Sequence, residues 1–254
     1  MGPEEIARLE RATVASLAPR RVAERSGWIL AMDSAPMGRA RSAAPLSHDP
    51  PPDVSDAVLS DLAEAYVEAG LPPAFRLPDR PTFDVVRGRL EATGFAPGEP
   101  TTVMIADPAR VAVYGGPGAA PEPILLEAPD AEWAAVFCGP GFDPEEGARR
   151  VAQLARSPGA RFGAIREAGQ TLAVGVLSRA GGLGGVHGMR TAVENRGRGC
   201  AGRLLAAFGA QAADWGLPRL FLQVEVGNPA RSLYEAAGFQ NLWRYVYWRK
   251  SVSR

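Results

Sequence analysis

The 254-residue sequence has few cysteines and histidines, almost no lysine and no long apolar run. Two cysteines, Cys138 and Cys200, cannot build a disulfide framework, and their spacing matches no metal-ligand pattern, so we expect no metal. The first residues, Met-Gly-Pro-Glu-Glu-Ile, are acidic where a secretory signal would be basic and then apolar. No run approaches the roughly 18 apolar residues of a membrane-spanning helix. We therefore expect a cytoplasmic protein with no membrane partner.

The sequence also has no excess of either charge. Lysine and arginine number 28, as do aspartate and glutamate, and nearly all of the positive charge is arginine. This balance argues against a nucleic-acid partner, because nucleic-acid surfaces concentrate positive charge. It also favours no strongly charged small substrate.

One segment, residues 189–202, predicts a strand that enters a glycine-rich turn and then a helix, Leu204–Trp215. Glycines keep side chains away from such a turn, so successive backbone amides can converge on an anion at the positive end of the helix dipole. Arginines add charge to the same turn. The glycines are Gly197, Gly199 and Gly202, and the arginines are Arg196, Arg198 and Arg203.

Other readings of this turn remain open at this point. Its glycines are also typical of an ordinary strand-to-helix connection. A nucleotide-binding Walker loop is excluded, since no Lys-Ser or Lys-Thr pair follows the glycines. Residues 197–202 do satisfy the Gly-x-Gly-x-x-Gly spacing of dinucleotide-binding folds. However, the expected acidic residue could only be Glu225, and too little chain follows to complete a doubly wound sheet.

The sequence after the turn contains clear start and stop signals for helices and strands. The helix stops at Gly216, and Leu220–Val226 alternates as a strand. A short helix is predicted from Asn228, a good N-cap followed by proline, to Gly238. A last strand, Trp243–Arg249, follows.

Two motifs in this region resemble the GNAT superfamily of acyl-CoA N-acetyltransferases. Arg196-x-x-Gly199-x-Ala201 is similar to the family signature Arg/Gln-x-x-Gly-x-Gly/Ala. Val224-x-x-x-Asn228 and the segment Ala230–Phe239 are similar to the family's closing helix, Ala-x-x-Leu-Tyr-x-x-x-Gly-Phe. Order and spacing match in both blocks, which makes the resemblance specific.

The resemblance implies an acetyl-CoA site and no metal. It implies that the strand before the turn offers backbone groups to the cofactor arm, that the turn amides hold the pyrophosphate, and that Asn228 touches the arm. Many relatives have proline where this chain has Val193. The implied cofactor-binding residues are Met189, Thr191, Arg196, Gly197, Arg198, Gly199, Cys200, Ala201, Gly202, Asn228 and Arg231.

The implied reaction is direct attack of a primary amine on the thioester of acetyl-CoA in a ternary complex, which needs positioning and two proton transfers. Tyr234 is the expected general acid, and a packed structural tyrosine is the alternative. His187 is the first candidate base, because it should share a strand face with Met189 and Thr191. Glu225 and water are the rivals, and His187 and Glu225 both have purely structural readings. Cys200 is not expected to act as a nucleophile.

The chain is longer than one such unit requires. We expect an α/β (α+β) fold of tandem GNAT-like units, each with a mixed, mostly antiparallel sheet flanked by helices. The expected domains are a degenerate N-terminal unit, 1–118, and a catalytic unit, 119–254, separated by a Gly/Pro-rich run. No cofactor signature precedes residue 120. Within the first unit, Val111–Tyr114 is expected to be a strand.

The resemblance predicts an N-acetyltransferase acting on an unidentified small amine, as a monomer or homodimer. Two alternatives stay open. One is a non-catalytic protein that binds or senses coenzyme A. The other is a transferase for a longer acyl group.

Overall fold

The computed structural model describes residues 2–115, 120–140 and 143–250. The expected domain boundary between residues 118 and 119 lies outside these ranges. The helices are α1 Pro3–Ala15, α2 Asp56–Glu68, α3 Asp84–Ala92, α4 Pro108–Ala112, α5 Ala131–Cys138, α6 Pro144–Leu154, α7 Cys200–Asp214 and α8 Ala230–Ala236. The strands are β1 Arg21–Arg25, β2 Trp28–Met32, β3 Ala43–Pro45, β4 Ala74–Pro78, β5 Phe95–Ala106, β6 Pro123–Leu126, β7 Arg161–Glu167, β8 Gln170–Ala180, β9 Leu183–Thr191, β10 Leu220–Glu225 and β11 Gln240–Lys250.

The chain divides into two compact units. The first unit contains the residues up to Thr102 together with those from Trp243 onward, and the second unit runs from Val103 to Leu242. This division differs from the expected one, because most of the last strand belongs to the first unit. The end of β5 and all of α4 belong to the second.

The first unit has strand order β1-β2-β3-β4-β11. Its pairs are antiparallel except β3 with β4, which are parallel, and β11 pairs with β4 from Tyr245↔Pro78 to Arg249↔Ala74. Ser55 is the N-cap of α2, and its hydroxyl accepts a hydrogen bond from the Val58 amide. Its buried face packs on aromatic residues of the sheet. The aromatic members of this core are Trp28, Tyr66, Phe75, Phe83, Phe95 and Trp248.

An ion pair is enclosed in the first unit. Arg76 on β4 is 1% exposed and Glu10 on α1 is 3% exposed, and the guanidinium donates to both carboxylate oxygens. The guanidinium also stacks over the Tyr245 ring at 5.0 Å. Burial alone disfavours the charge of Arg76, but the carboxylate of Glu10 keeps the pKa of Arg76 above its ordinary value.

The second unit has strand order β5-β10-β9-β8-β7-β6. The pairs from β6 to β9 are antiparallel, and β9 with β10 is parallel. Helix α7 covers one face, where a Cβ at Gly163 would lie 2.8 Å from Phe208. Helices α5 and α6 cover the other face, where a Cβ at Gly188 would meet Leu154 and Phe137.

The prediction of a strand at Val111–Tyr114 is wrong. Residues 108–112 form α4, because the Asp107 carboxylate accepts a hydrogen bond from the Ala109 amide and Pro108 occupies the first helical position. Helix α4 packs so closely on α7 that a Cβ at Gly209 would lie 2.4 Å from the Ala112 nitrogen. Strands β1 and β6 were not predicted.

None of the helices in the described ranges is long and apolar enough to cross a membrane.

Candidate functional site

Strands β9 and β10 separate shortly after they begin. Across the described residues they are paired only at Leu220↔Gly184 and Phe221↔Gly185, supported by a 2.9 Å hydrogen bond from the Gly184 amide to the Arg219 carbonyl. Both strands continue beyond this point, β9 to Thr191 and β10 to Glu225. A cleft therefore opens between two strands of one sheet, and the backbone of β9 lines one side of it.

A bulge in β9 changes which side chains share a face. Gly188 has a φ of +58°, and the register with β8 shifts from Val176↔His187 to Val174↔Arg190. One extra residue on β9 is thereby accommodated, so His187 and Arg190 point to one face and Met189 to the other. The expectation that His187 shares a face with Met189 and Thr191 is therefore wrong.

Contacts on the two faces agree with the register. A Cβ at Gly175 would lie 2.4 Å from Met189 Sδ and close to Phe208, so Met189 points toward α7. The guanidinium of Arg190 stacks on Phe137 of α5 at 4.6 Å. Burial lowers the pKa of Arg190 to about 10, with a further contribution from Arg150.

The chain leaves β9 through a 3-10 turn, Val193–Asn195, and reaches α7 through two glycines in the left-handed region. Gly197 has φ +78° and Gly199, the N-cap of α7, has φ +84°. Such backbone angles favour glycine strongly. The sequence therefore turns sharply at this point and starts the helix without any side chain over its N-terminus.

The amides at this N-terminus are open. Within the described ranges, no backbone N–H of residues 197–202 donates to a backbone carbonyl outside α7, and no side chain caps the helix. By contrast, a side chain accepts from a first-turn amide in α2, α4, α5, α6 and α8: Ser55, Asp107, Asp130, Asp143 and Asn228. An uncapped N-terminus with converging amides is suited to an anion.

The arginines of the turn differ in their surroundings. Arg196 is exposed, whereas Arg198 donates to Asn195 Oδ1 at 2.9 Å and to Glu167 at 2.6 Å. The hydrogen bond to Glu167 holds the pKa of Arg198 above its ordinary value. Arg203 pairs with Glu122 at 2.8 Å. Acidic partners thus already offset two of the three positive charges.

Tyr234 lies on α8 in the core of the second unit. Its ring packs edge-on against Phe239 at 6.1 Å, and burial raises its pKa to about 12. No hydrogen bond joins its hydroxyl to any residue in the described part of the chain. The hydroxyl is thus protonated at neutral pH and not committed to a protein acceptor.

His187 is 3% exposed and lies two residues beyond Gly185, the last residue of β9 that pairs with β10. Its Nε2 is 3.2 Å from Ser178 Oγ, and its ring meets Phe221 edge-on at 5.8 Å. His187 is therefore held near the start of the cleft, on the face covered by α5 and α6.

The remaining expected residues lie at the end of β10 and the start of α8. Glu225 is exposed, and Asn228 accepts from the Ala230 amide at 2.9 Å. Arg231 pairs with Glu235 at 3.1 Å. Cys200 is buried at the first position of α7, and burial raises the pKa of its thiol, which disfavours the nucleophilic thiolate.

Sequence reasoning missed three residues that shape the cleft: Ser178, Gly185 and Gly188. A glycine inside an expected strand signals a bulge or a close approach of another chain segment, so Gly188 could have been noticed.

A cavity of about 280 Å³ was also not predicted from the sequence. It lies between the end of α5, the hairpin at Gly169–Thr171 and the turn Ala192–Asn195. In the described ranges, no group of three metal-ligating side chains occurs.

A family model described as "Probable histone acetyltransferase Rv0428c C-terminal" matches residues 4–248, almost the whole chain. The chain belongs to this family. It is a GNAT-superfamily acyltransferase, as the two motifs predicted. No curated protein matches the chain.

Solved structures of GNAT proteins share the fold. The chain is similar to a GCN5-related N-acetyltransferase from Kribbella flavida, with 17% identity, 100% and 97% of the two chains covered and a TM-score of 0.72. A GCN5-related N-acetyltransferase from Sphaerobacter thermophilus is 16% identical, with a TM-score of 0.54. The match covers 98% of this chain and 93% of that protein. The chain is also similar to a tandem GNAT protein from the clavulanic acid biosynthesis pathway, with 16% identity and a TM-score of 0.58. The match covers 98% of this chain and 89% of that protein. These similarities confirm the predicted GNAT fold class.

Proposed function

We propose that this acyltransferase moves the acetyl group of acetyl-CoA to a primary amine by direct attack in a ternary complex. The observation that carries the proposal is the uncapped N-terminus of α7, which directly follows the strand that separates from β10. An anion-binding terminus at the end of an open strand edge can hold a molecule that is charged at one end and extended beyond it.

Acetyl-CoA fits these residues. The amides of Gly197 to Gly202 suit its diphosphate, because they are oriented donors at the positive end of a helix dipole. Backbone groups of Met189 and Thr191 along the open edge of β9 would hold the amide-rich arm. Arg196, Asn228 and Arg231 are proposed as further contacts to the cofactor.

The proton transfers are assigned to two side chains. Bound acetyl-CoA supplies an acetyl thioester. Tyr234 is the proposed general acid, because its hydroxyl is protonated at neutral pH and can donate to the thiolate that leaves. His187, or a water molecule, takes the proton from the attacking amine. Glu225 is the weaker candidate base, since it is exposed at the end of β10.

The acceptor is proposed to be a small primary amine. The zero net charge of the chain favours no strongly charged class of acceptor. We also propose that residues 1–118 are a degenerate GNAT-like domain without its own cofactor site, that 119–254 carry catalysis, and that the protein acts in the cytoplasm as a monomer or homodimer.

Calorimetric titration with acetyl-CoA tests the cofactor site. Gly199→Glu is expected to weaken binding on the order of 30-fold, because a carboxylate would face the diphosphate and fewer amides could donate to it. Gly216→Glu is the matched control, since Gly216 lies just after the other end of α7 and also has positive φ, +66°. We expect the control to bind acetyl-CoA as the wild type does.

Titrating coenzyme A and a longer acyl-CoA beside acetyl-CoA tests the preferred acyl group. Equal weakening of acetyl-CoA binding in both glycine variants would contradict the assignment of the loop. Tighter binding of the longer acyl-CoA would replace acetyl transfer by transfer of that group.

A further inference from the structure

Ser178 lies beside His187 where β9 separates from β10. The two side chains are buried, and Ser178 Oγ is 3.2 Å from His187 Nε2. Ser178 is on β8, directly opposite Gly185 in the antiparallel register. It is held by regular sheet structure, so its position relative to the imidazole is well defined.

The two hydrogen-bond contacts of the Ser178 hydroxyl bear on which imidazole nitrogen carries the hydrogen. The hydroxyl of Ser178 donates its single hydrogen to the carbonyl oxygen of Gly185, 3.1 Å away. With that hydrogen directed at the carbonyl, the Ser178 oxygen accepts from the imidazole, and Nε2–H is the donor. In the neutral imidazole, Nδ1 then carries the lone pair. The opposite arrangement, in which Ser178 donates to Nε2, belongs to the other tautomer.

Gly185 is needed for this contact. A Cβ at that position would lie 2.5 Å from His187 Nε2, 2.6 Å from Ser178 Oγ and 2.9 Å from the Phe221 ring. Any larger residue would push the imidazole away from the hydroxyl. The serine, the glycine and the edge-on Phe221 together hold the ring in one orientation.

We propose that Ser178 is a positioning residue that fixes His187 in the Nε2–H tautomer, so that Nδ1 takes the proton from the acceptor amine. This inference rests on the proposed function. The amine gives one proton to Nδ1, and its lone pair forms the C–N bond as the C–S bond breaks. The Nε2–H group stays bonded to Ser178 Oγ, which stabilises the imidazolium until Nδ1 releases its proton to water.

The tautomer can be measured by NMR on protein with ¹⁵N-labelled histidine. The chain has only two histidines, and His187→Ala assigns the signals by removing one set. His48 does not interfere by titrating near neutral pH, because burial lowers its pKa to about 3. We expect a protonated Nε2 and an unprotonated Nδ1 at His187. Ser178→Ala should give a mixture of tautomers.

Kinetics with acetyl-CoA and a panel of primary amines tests the consequence. Ser178→Ala should lower kcat about tenfold with an unchanged KM for acetyl-CoA, and Ser178→Thr, which keeps the hydroxyl, should restore most of kcat. Gly185→Ala should lower kcat similarly. Val176→Ala is the matched control, because Val176 lies opposite His187 in the register and its side chain has no polar atom that could bond to the imidazole. It should keep the single tautomer.

The outcomes distinguish the role of Ser178 from the proposed acetyltransferase function. An Nδ1–H tautomer in the wild type, or Ser178→Ala with unchanged tautomer and kcat, overturns the role of Ser178. Full activity of His187→Ala overturns it as well, whatever the tautomer. Failure of acetyl-CoA to bind the wild type contradicts the proposed function, while the NMR result still decides whether Ser178 sets the tautomer.

Discussion

Replacing Tyr234 with phenylalanine is expected to lower kcat by about 100- to 1,000-fold, because positioned general acids contribute factors of this size. The change removes one oxygen from a ring that is otherwise packed against Phe239. Since the hydroxyl bonds to no residue in the described ranges, no protein acceptor loses its partner. Stability and the Kd for acetyl-CoA should therefore stay near their wild-type values, which thermal unfolding and calorimetry can check.

Tyr66→Phe provides the opposite pattern as a control. The hydroxyl of Tyr66 donates to the Ala31 carbonyl at 3.0 Å in the core of the first unit. Its loss should cost about 1–2 kcal/mol of stability and leave kcat within about twofold. If Tyr234→Phe keeps kcat within twofold, Tyr234 is a packed structural residue and another group protonates the thiolate.

Removing Glu10 from the buried ion pair is expected to destabilise the first unit by about 3–5 kcal/mol. Glu10→Ala would leave the guanidinium of Arg76 enclosed beside the Tyr245 ring without its carboxylate partner. Breaking one side of such a pair costs more than the pair itself contributes, because the remaining charge stays desolvated. Urea unfolding followed by tryptophan fluorescence measures the change, since Trp28 and Trp248 lie in this core.

Two variants make this prediction specific. Glu24→Ala breaks the exposed pair with Arg11, whose side chains are 42% and 51% exposed, and should cost no more than about 1 kcal/mol. The double variant Glu10→Leu with Arg76→Leu should recover most of the stability, because no charge is left buried. Equal effects of Glu10→Ala and Glu24→Ala would show that burial does not amplify the loss.

The turn before α7 could be predicted from the sequence because its geometry is local. Positive φ angles at Gly197 and Gly199 require glycine, and the helix starts directly after them. The short helix that carries Tyr234 was predictable for the same reason, from Asn228, Pro229 and Gly238. The cofactor and catalytic roles of these residues stay predictions.

Features that depend on pairing between strands could not be predicted. The bulge at Gly188 puts Arg190, and not Met189, on the same face of the sheet as His187. A prediction that assumes strict alternation of faces along a strand has no place for the extra residue of a bulge. The contact between Ser178 and His187 depends on the register of two strands. For α4 a local signal existed, the N-cap Asp107 and the following proline, but the prediction of a strand at Val111–Tyr114 did not use it.

Strand β11 pairs with β4, so residues 240–250 complete a sheet that begins near residue 21. During synthesis, the ribosome must translate the whole second unit before the first can acquire its last strand. The second unit is continuous in sequence and can fold as it emerges, whereas the first must wait with the edge of β4 unpaired. Expression of residues 1–118 alone would therefore give a fragment lacking the strand that covers Arg76 and Phe75. A circular permutant that joins β11 to the chain start would remove this delay.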